Sequence, residues 1–553
     1  MRWRLGSWST GTPRVLDASD VFVGFLCLYL LTASRTAPVG DAVPMWEAAR
    51  SLIAHGNFAI EMRWPVNAPT GVGGHYYPVA ALLAVLVHVP GALLQAALHA
   101  WTSGGDIPFV PLTSQVAPIV LGAAVPALLF RLLRYLRYDT WPAAWTTLLA
   151  GAGTSLWVYA HRPYAEAVQA ICFLGAFGAL LRGGDNPTRG ACARLGLAFA
   201  LLVNAKNVYL VCVPGAMTYL YWRFRRIDGR RRRASWGWAA LGFLPGLLAM
   251  AWYNAARWGA VTSSGYGGTV TAGFWGEHIL VGLWGQLLSP GKSLFLYAPP
   301  LLLSVWAWPR FWRQSRPAAA AMVLLIAPVV LLYARYLFWS GDWAWGPRYL
   351  VFAMPVLVIP IAALLAAAAP VTAPAESAGR ERVGRSWPRP GLTFLLWTVL
   401  GTGAAVQLLG NAFQWRDFIN ISRDAQRAWL GRPDTSGTVL APFPCYSCFE
   451  EVYPVDWLPP MQPIAGHWWL LRHKLGRDDW KLAAADAPWT RYTAVPVNLQ
   501  ASYNAARIDW WPLMAQPDKR WPLISAAVLL LLAIPLRPWV RALRRRNGAN
   551  DAS

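Results

Sequence analysis

Four polar residues stand where an otherwise apolar chain has little use for them. Asp41 follows Val39-Gly40, just past the first apolar run. Arg162 sits in Tyr159-Ala-His-Arg-Pro-Tyr-Ala-Glu166, between two further runs. Lys292 ends Ser289-Pro-Gly-Lys, a Pro-Gly turn that opens a later run, and Arg348 follows Gly346-Pro347 at the start of another. A carboxylate can take a proton from an attacking hydroxyl. Ammonium and guanidinium groups beside the free N–H groups of a helix start suit a phosphate, including one that departs with growing negative charge. The set therefore reads as a base, Asp41, facing an anion clamp of Lys292, Arg348 and Arg162. Asp342, six residues before Arg348, is placed to fix that arginine or to bind a substrate hydroxyl.

The elements that must hold these groups are short. After Asp41, Met45, Ala48, Ala49, Leu52 and Ile53 recur at helical spacing and Gly56 suits a C-cap, which predicts an amphipathic helix lying on a membrane surface. Asp41 is also a good N-cap for that helix, with Pro44 in its first turn, so cap and base compete as readings. Glu47 is expected to pair with Arg50 or to help position substrate. Glu166 lies one turn inside an apolar run, where Arg162 at i−4 is the expected partner. His75 and Tyr77 in His75-Tyr-Tyr-Pro78, Asn254 and Arg257 in Trp252-Tyr-Asn-Ala-Ala-Arg-Trp-Gly259, and Tyr266 in Gly265-Tyr-Gly-Gly268 complete the candidate substrate-positioning groups. With 44 Arg and only 5 Lys in the chain, Lys206 draws attention beside Lys292, although Asn204 and Lys206 also suit a plain helix break.

The chain around them is 56% hydrophobic and 14% charged over 553 residues, with apolar runs of span length recurring throughout. That makes an all-α polytopic membrane protein. Its net charge of +23 does not signal nucleic acid, because the arginines fall in short clusters between apolar runs. About twelve transmembrane helices are expected near 17–36, 111–136, 141–160, 164–182, 190–205, 207–222, 236–256, 292–309, 318–339, 349–369, 391–412 and 521–539. With the N-terminus inside, this arrangement puts every arginine cluster in the cytoplasm and all the candidate loops on the outer face of a bacterial plasma membrane. It requires residues 77–101, interrupted by Pro78, Pro90 and Gly91, to be a juxtamembrane or re-entrant pair of half-helices. Many of the 34 Trp flank the runs, as interfacial belts do.

Three regions follow: a transmembrane region over 1–412 containing the outer loop 37–76, an outer soluble domain of mixed structure over 413–520, and a last helix with a basic tail over 521–553. Cys445 and Cys448 fall in the outer domain, where their spacing fits a local disulfide better than a redox centre; zinc would need two further ligands.

The order Gly-Asp41, His161-Arg-Pro-Tyr-Ala-Glu166, Tyr253-Asn-Ala-Ala-Arg-Trp-Gly259, Ser289-Pro-Gly-Lys-Ser-Leu-Phe295 and Trp339-Ser-Gly-Asp-Trp-Ala-Trp-Gly-Pro-Arg-Tyr349 resembles the GT-C superfamily over roughly residues 17–412. Within it the chain is similar to bacterial relatives of dolichyl-phosphate-mannose protein mannosyltransferases and of the lipid A aminoarabinose transferase. The resemblance implies an inverting glycosyltransferase that moves a sugar from a polyprenyl phosphate to an acceptor on the outer face. It matches Asp41 to the family's first-loop acid, which acts as base or orients the acceptor. Relatives often carry two adjacent acids there, whereas Ala42 follows Asp41, so a divalent metal is possible but its ligands stay open. The sugar and the acceptor (protein, lipid or glycan) are not legible. Two competing functions are a transporter or flippase of lipid-linked saccharides, against which the absence of a repeat argues, and a non-catalytic lipid-binding protein.

Overall fold

A chain that crosses lipid must satisfy its own backbone hydrogen bonds, so its spans are helices. The computed structural model describes residues 15–34, 36, 38–61, 68–101, 110–266, 272–341, 343–368, 390–429, 455–488, 499–509 and 520–544. Among these, eight helical segments are long and apolar enough to cross a membrane: Leu82–Trp101, Leu112–Tyr135, Glu166–Asp185, Gly229–Trp258, Arg316–Ala334, Arg348–Ala367, Gly391–Ala412 and Ala526–Leu543. The protein is a multi-pass membrane protein. Ala18–Leu31 and Ile279–Leu288 are shorter apolar helices.

Of the remaining expected spans, 190–205 is the continuous helix Arg189–Ala205, while three others are broken beside polar residues. Residues 141–160 fold as Thr140–Gly153 and Leu156–Ala160, with Ser155 between them donating to the Tyr297 carbonyl at 3.1 Å. Residues 207–222 begin as a 3-10 turn, Asn207–Val211, before the helix Cys212–Phe224. Residues 292–309 split into Leu294–Tyr297 and Pro300–Gln314. The Arg348–Ala367 run opens as a 3-10 turn, Arg348–Ala353, and breaks again at Val358. Prolines at 300, 355 and 360 lack the N–H that a continuous helix would use. Irregular backbone at such depth is sustained only where protein or a cavity surrounds it. The 77–101 segment folds as Leu82–Leu86 and Val89–Trp101, with a turn at Val87-His88.

The helix expected after Asp41 is present as Ala42–His55, capped at Gly56, whose φ is 68° and whose N–H bonds the Leu52 carbonyl. It buries Met45, Trp46, Ala48 and Ala49 in a cluster with Leu82, Val85, Phe58 and Tyr253. This second core, distinct from the main bundle core, seats the first loop on the protein.

The 413–520 region differs from its expected mixed structure. Its described residues form helices, Trp415–Trp429, Pro463–Leu475, Trp480–Ala485 and Leu499–Ala505, and no strands. Phe418, Ile421, Trp469, Leu470, Leu499 and Tyr503 make a core of their own, which also takes in Ala412 and Phe413 at the end of the preceding span.

Candidate active site

Asp41 stands at the N-cap position of its helix, but its side chain makes no cap hydrogen bond. Its Oδ2 instead accepts from Arg348 at 2.7 Å. The same guanidinium donates through Nε to Glu166 Oε1 at 2.5 Å. Arg348 is the first residue of its 3-10 turn, and Glu166 the first of the Glu166–Asp185 helix, where the free N–H end favours a carboxylate. Side-chain exposure falls from 42% at Asp41 to 17% at Arg348 and 4% at Glu166. Glu166 thus fixes the arginine from beneath, and the arginine fixes a carboxylate that remains open to a substrate. The second Glu166 oxygen is buried with no hydrogen-bond partner among the described residues.

Lys206 joins this group. It sits in the turn between Arg189–Ala205 and Asn207–Val211. Its ammonium lies 4.6 Å from the Tyr349 ring centroid and 5.3 Å from that of Tyr333, and the two rings stack at 4.2 Å. Cation–π contact of this kind holds an ammonium without neutralising it. The groups whose charges act on Lys206 are Tyr266, Arg348, Glu166 and Asp41, while burial pushes its pKa below the ordinary lysine value. No carboxylate pairs with it among the described residues. Tyr266 belongs here too: burial raises its phenol pKa, and Lys206 and Asp41 are the next influences on it.

Arg162 goes elsewhere. The expected partner was Glu166, but the helix begins only at Glu166, so Arg162 lies in the preceding turn and i,i+4 geometry does not apply. It is 2% exposed and donates to Asp509 at 2.7 Å, Ser34 Oγ at 2.9 Å and the Phe413 carbonyl at 3.2 Å. Asp509 also accepts from Ser34 at 2.6 Å, Thr36 at 2.8 Å and Gln414 at 3.1 Å. Burial would raise the Asp509 pKa, but Arg162 and these hydroxyls outweigh it and hold it below 3.8. The Arg162 guanidinium faces Trp415 at 5.4 Å, Trp415 stacks on Tyr164 at 5.5 Å, and Tyr164 faces Arg348 at 5.1 Å. Two aromatic rings therefore separate the two arginines.

Lys292 is likewise enclosed. Its side chain is fully buried, donates to the Ala344 carbonyl at 2.8 Å and lies 4.0 Å from Asp456. Residues 455–456 cover it: the Gly291 N–H bonds the Asp456 carbonyl at 3.0 Å, and a Cβ on Gly291 would meet the Val455 carbonyl at 2.1 Å. An ammonium sealed in this way is not presented to a lipid phosphate, which corrects its expected place in the clamp.

The other candidates separate similarly. Glu47 is solvent-facing and paired with Arg50 at 3.1 Å. His75 is exposed. Tyr77 is buried edge-on to Trp258, with ring centroids 5.9 Å apart. Arg257 is 1% exposed and bonds the carbonyls of Pro78, Ala80 (3.2 Å) and Tyr253 (3.1 Å), while Asn254 accepts from Arg257 at 3.2 Å and donates to the Val261 carbonyl at 3.1 Å. That pair staples the 78–80 segment to the end of a long helix. Asp342, Cys445 and Cys448 lie outside the described residues.

No family model matches the sequence, and no curated protein matches it. Solved structures do. ArnT from Cupriavidus metallidurans bound to undecaprenyl phosphate is similar over 95% of this chain and 77% of its own, at 12% identity and a TM-score of 0.42. The apo state of the same protein gives 95%, 76%, 14% and 0.41. The archaeal oligosaccharyltransferase AglB from Archaeoglobus fulgidus, in complex with an inhibitory peptide and a dolichol-phosphate, is similar over 81% of this chain and 63% of its own, at 10% identity and a TM-score of 0.47. Likeness at this identity concerns fold, and a function for this chain has to come from its own residues.

Asp41, Glu166, Arg348 and Lys206 bring two carboxylates and two basic groups together, with the Asp41 side chain 42% exposed and Lys206 paired with no carboxylate among the described residues. Among the described residues no group of three or more His, Cys, Asp or Glu is placed to hold a metal ion.

Proposed function

We propose that this protein is an inverting glycosyltransferase that moves a sugar from a polyprenyl phosphate to an acceptor hydroxyl or amine at the outer face of a bacterial plasma membrane. The observation that carries this reading is the half-exposed Asp41 carboxylate, held by Arg348 over buried Glu166, with Lys206 seated on the adjoining Tyr349 ring. The motif order that resembles GT-C enzymes supplies the donor class.

In this mechanism Asp41 accepts the proton of the attacking group as a bond forms to the anomeric carbon. The bond from that carbon to the phosphate oxygen breaks on the opposite face, and its electron pair stays on the leaving lipid phosphate. Inversion follows from the single displacement. Lys206 and the outer edge of Arg348 meet the charge that grows on the phosphate, in surroundings where a fixed cation acts more strongly than in water. Glu166 is a positioning residue, acting through Arg348. Arg162 and Lys292 take no part in phosphate binding.

The test is reconstitution of the full chain with polyprenyl-phosphate sugars, scoring transfer and donor hydrolysis. D41N is expected to lose turnover while keeping donor affinity, and wild-type turnover in D41N would refute the base assignment. Movement of labelled lipid across the bilayer with no glycosyl transfer would instead make the protein a transporter.

A further inference from the structure

The arginines between 223 and 233 pose a separate problem. Arg223, Arg225, Arg226, Arg230, Arg231, Arg232 and Arg233 fall within eleven residues, with Asp228 the only acid among them. All but Arg223 are exposed. Arg223 is paired with Asp185 at 2.6 Å, and Asp185 also accepts from Tyr135 at 3.0 Å, so that carboxylate is already shared. Asp228 is spent on the backbone, capping the N–H groups of Arg230 at 2.9 Å and Arg231 at 3.3 Å. Arg225, Arg226, Arg232 and Arg233 make no ion pair among the described residues.

The placement is unfavourable for an isolated chain. Arg230–Arg233 open the helix Gly229–Trp258, whose N-terminal end already carries positive partial charge, and they repel one another within a single turn. An anion at this end would offset both costs. A cleft lined by Gly184, Asp185, Pro187, Trp222, Arg223 and Arg226 lies beside it, with Tyr221 exposed at its edge.

We infer that this cleft and the adjoining arginine turn bind the phosphate headgroup of an anionic phospholipid from the leaflet opposite the Asp41 site. A membrane lipid is favoured over a free phosphate because the apolar stretch of Gly229–Trp258 is scarcely covered by protein, with Leu241, Leu244, Leu247 and Leu248 exposed along it. Acyl chains can lie on that face while the headgroup meets the arginines, and Trp222 and Tyr221 suit the interface between the two. The site is remote from the proposed chemistry. Lys206 and Arg223 stand at opposite ends of one helical run, about 25 Å apart by helical rise.

The experiment reconstitutes the full chain in phosphatidylcholine vesicles carrying a minor share of phosphatidylglycerol, re-extracts it, and measures the two lipids that remain bound. Wild type is expected to retain phosphatidylglycerol well above its share in the vesicle. The quadruple variant R225Q/R226Q/R230Q/R231Q should lose that preference by on the order of tenfold or more. R310Q/R313Q/R316Q, which removes charge from another exposed arginine cluster, should keep it. A wild-type ratio equal to that of the vesicle, or an equal loss in both variants, overturns the proposal. Should the quadruple variant not fold, wild-type thermal stability decides: phosphatidylglycerol vesicles raise it over phosphatidylcholine vesicles and soluble glycerol phosphate does not. Equal stabilisation by glycerol phosphate would make the ligand a free phosphate and sink the lipid reading.

Discussion

Arg348 and Arg162 are both held by carboxylates, both face an aromatic ring, and both sit where an apolar helix meets a turn, yet they do different work. Arg162 is sealed: its partner Asp509 is 2% exposed at the side chain and saturated with donors. Arg348 bridges a buried acid to an open one, so one end of its chain of contacts reaches a surface that substrate can reach. Lys206 and Lys292 repeat the contrast. One ammonium rests on tyrosine faces; the other is closed over by Ala344 and Asp456. Charge type does not separate a reactive group from a structural one in this protein. What separates the two arginines is exposure, since the Asp41 side chain is 42% exposed and the Asp509 side chain 2%.

The largest effect that would sharpen this contrast is at Asp41. D41N should cut turnover by roughly 10²- to 10⁴-fold, the usual contribution of a general base, with the thermal midpoint unchanged; transfer assays beside a melting curve check both. The sealed pair should behave oppositely. D509N leaves a buried guanidinium uncompensated and is expected to cost about 3–5 kcal/mol of stability, while the fraction that folds keeps its turnover. A D509N protein that melts normally yet is inactive would break the comparison by moving Arg162 into the site.

The lysines come next. K206A should lower turnover by on the order of 10²-fold, as removal of a donor to a developing anion does. K292M should leave the donor KM where it was. Weak donor binding in K292M with normal binding in K206A would exchange their roles.

The smallest expected effect is a pH dependence at Asp417, on the helix Trp415–Trp429. Burial, and then the charge of Asp509, push its carboxyl pKa up from 3.8 to about 7. A raised pKa means that the folded state favours the neutral form, so this stabilising contribution is full below the unfolded value and fades as pH rises through 7. D417N should therefore flatten the fall in melting temperature between about pH 4 and pH 7 and raise the value above pH 7. An unchanged pH profile would remove Asp417 from the sealed network.

Much of the bundle was legible because lipid imposes long apolar runs and arginine-rich turns, and the amphipathic helix was legible from Met45 to Ile53 and its cap at Gly56. Asp41, Glu166 and Arg348 were legible as candidates, since each is costly at a span end unless it has a use. Their pairing was not. Sequence spacing gave Glu166 to Arg162, whereas the helix that would have aligned them starts only at Glu166 and leaves Arg162 in the turn before it. Asp509 and Asp456, the residues that decide the fates of Arg162 and Lys292, lie in the 413–520 segment, and nothing local in Ile508-Asp509 or Val455-Asp456 says what they cover. Lys206 carried one signal, its rarity in a chain rich in arginine, and that signal could not place it against Tyr349.

Asp509 reaches Ser34 across 475 residues of sequence. A chain that emerges from the ribosome N-terminus first therefore inserts its first loop and Arg162 long before their partner exists. Until residue 509 arrives, the guanidinium must stay hydrated, and the turn that leads into Glu166 lacks its anchor. Closing so wide a loop comes late because most of the chain's other contacts can precede it, though its added entropy grows only as the logarithm of its length. The anchor of Arg162 is thus completed late, by a residue 347 positions further along the chain. Truncation before Asp509 should leave a protein that is inserted and helical, yet has no completed site.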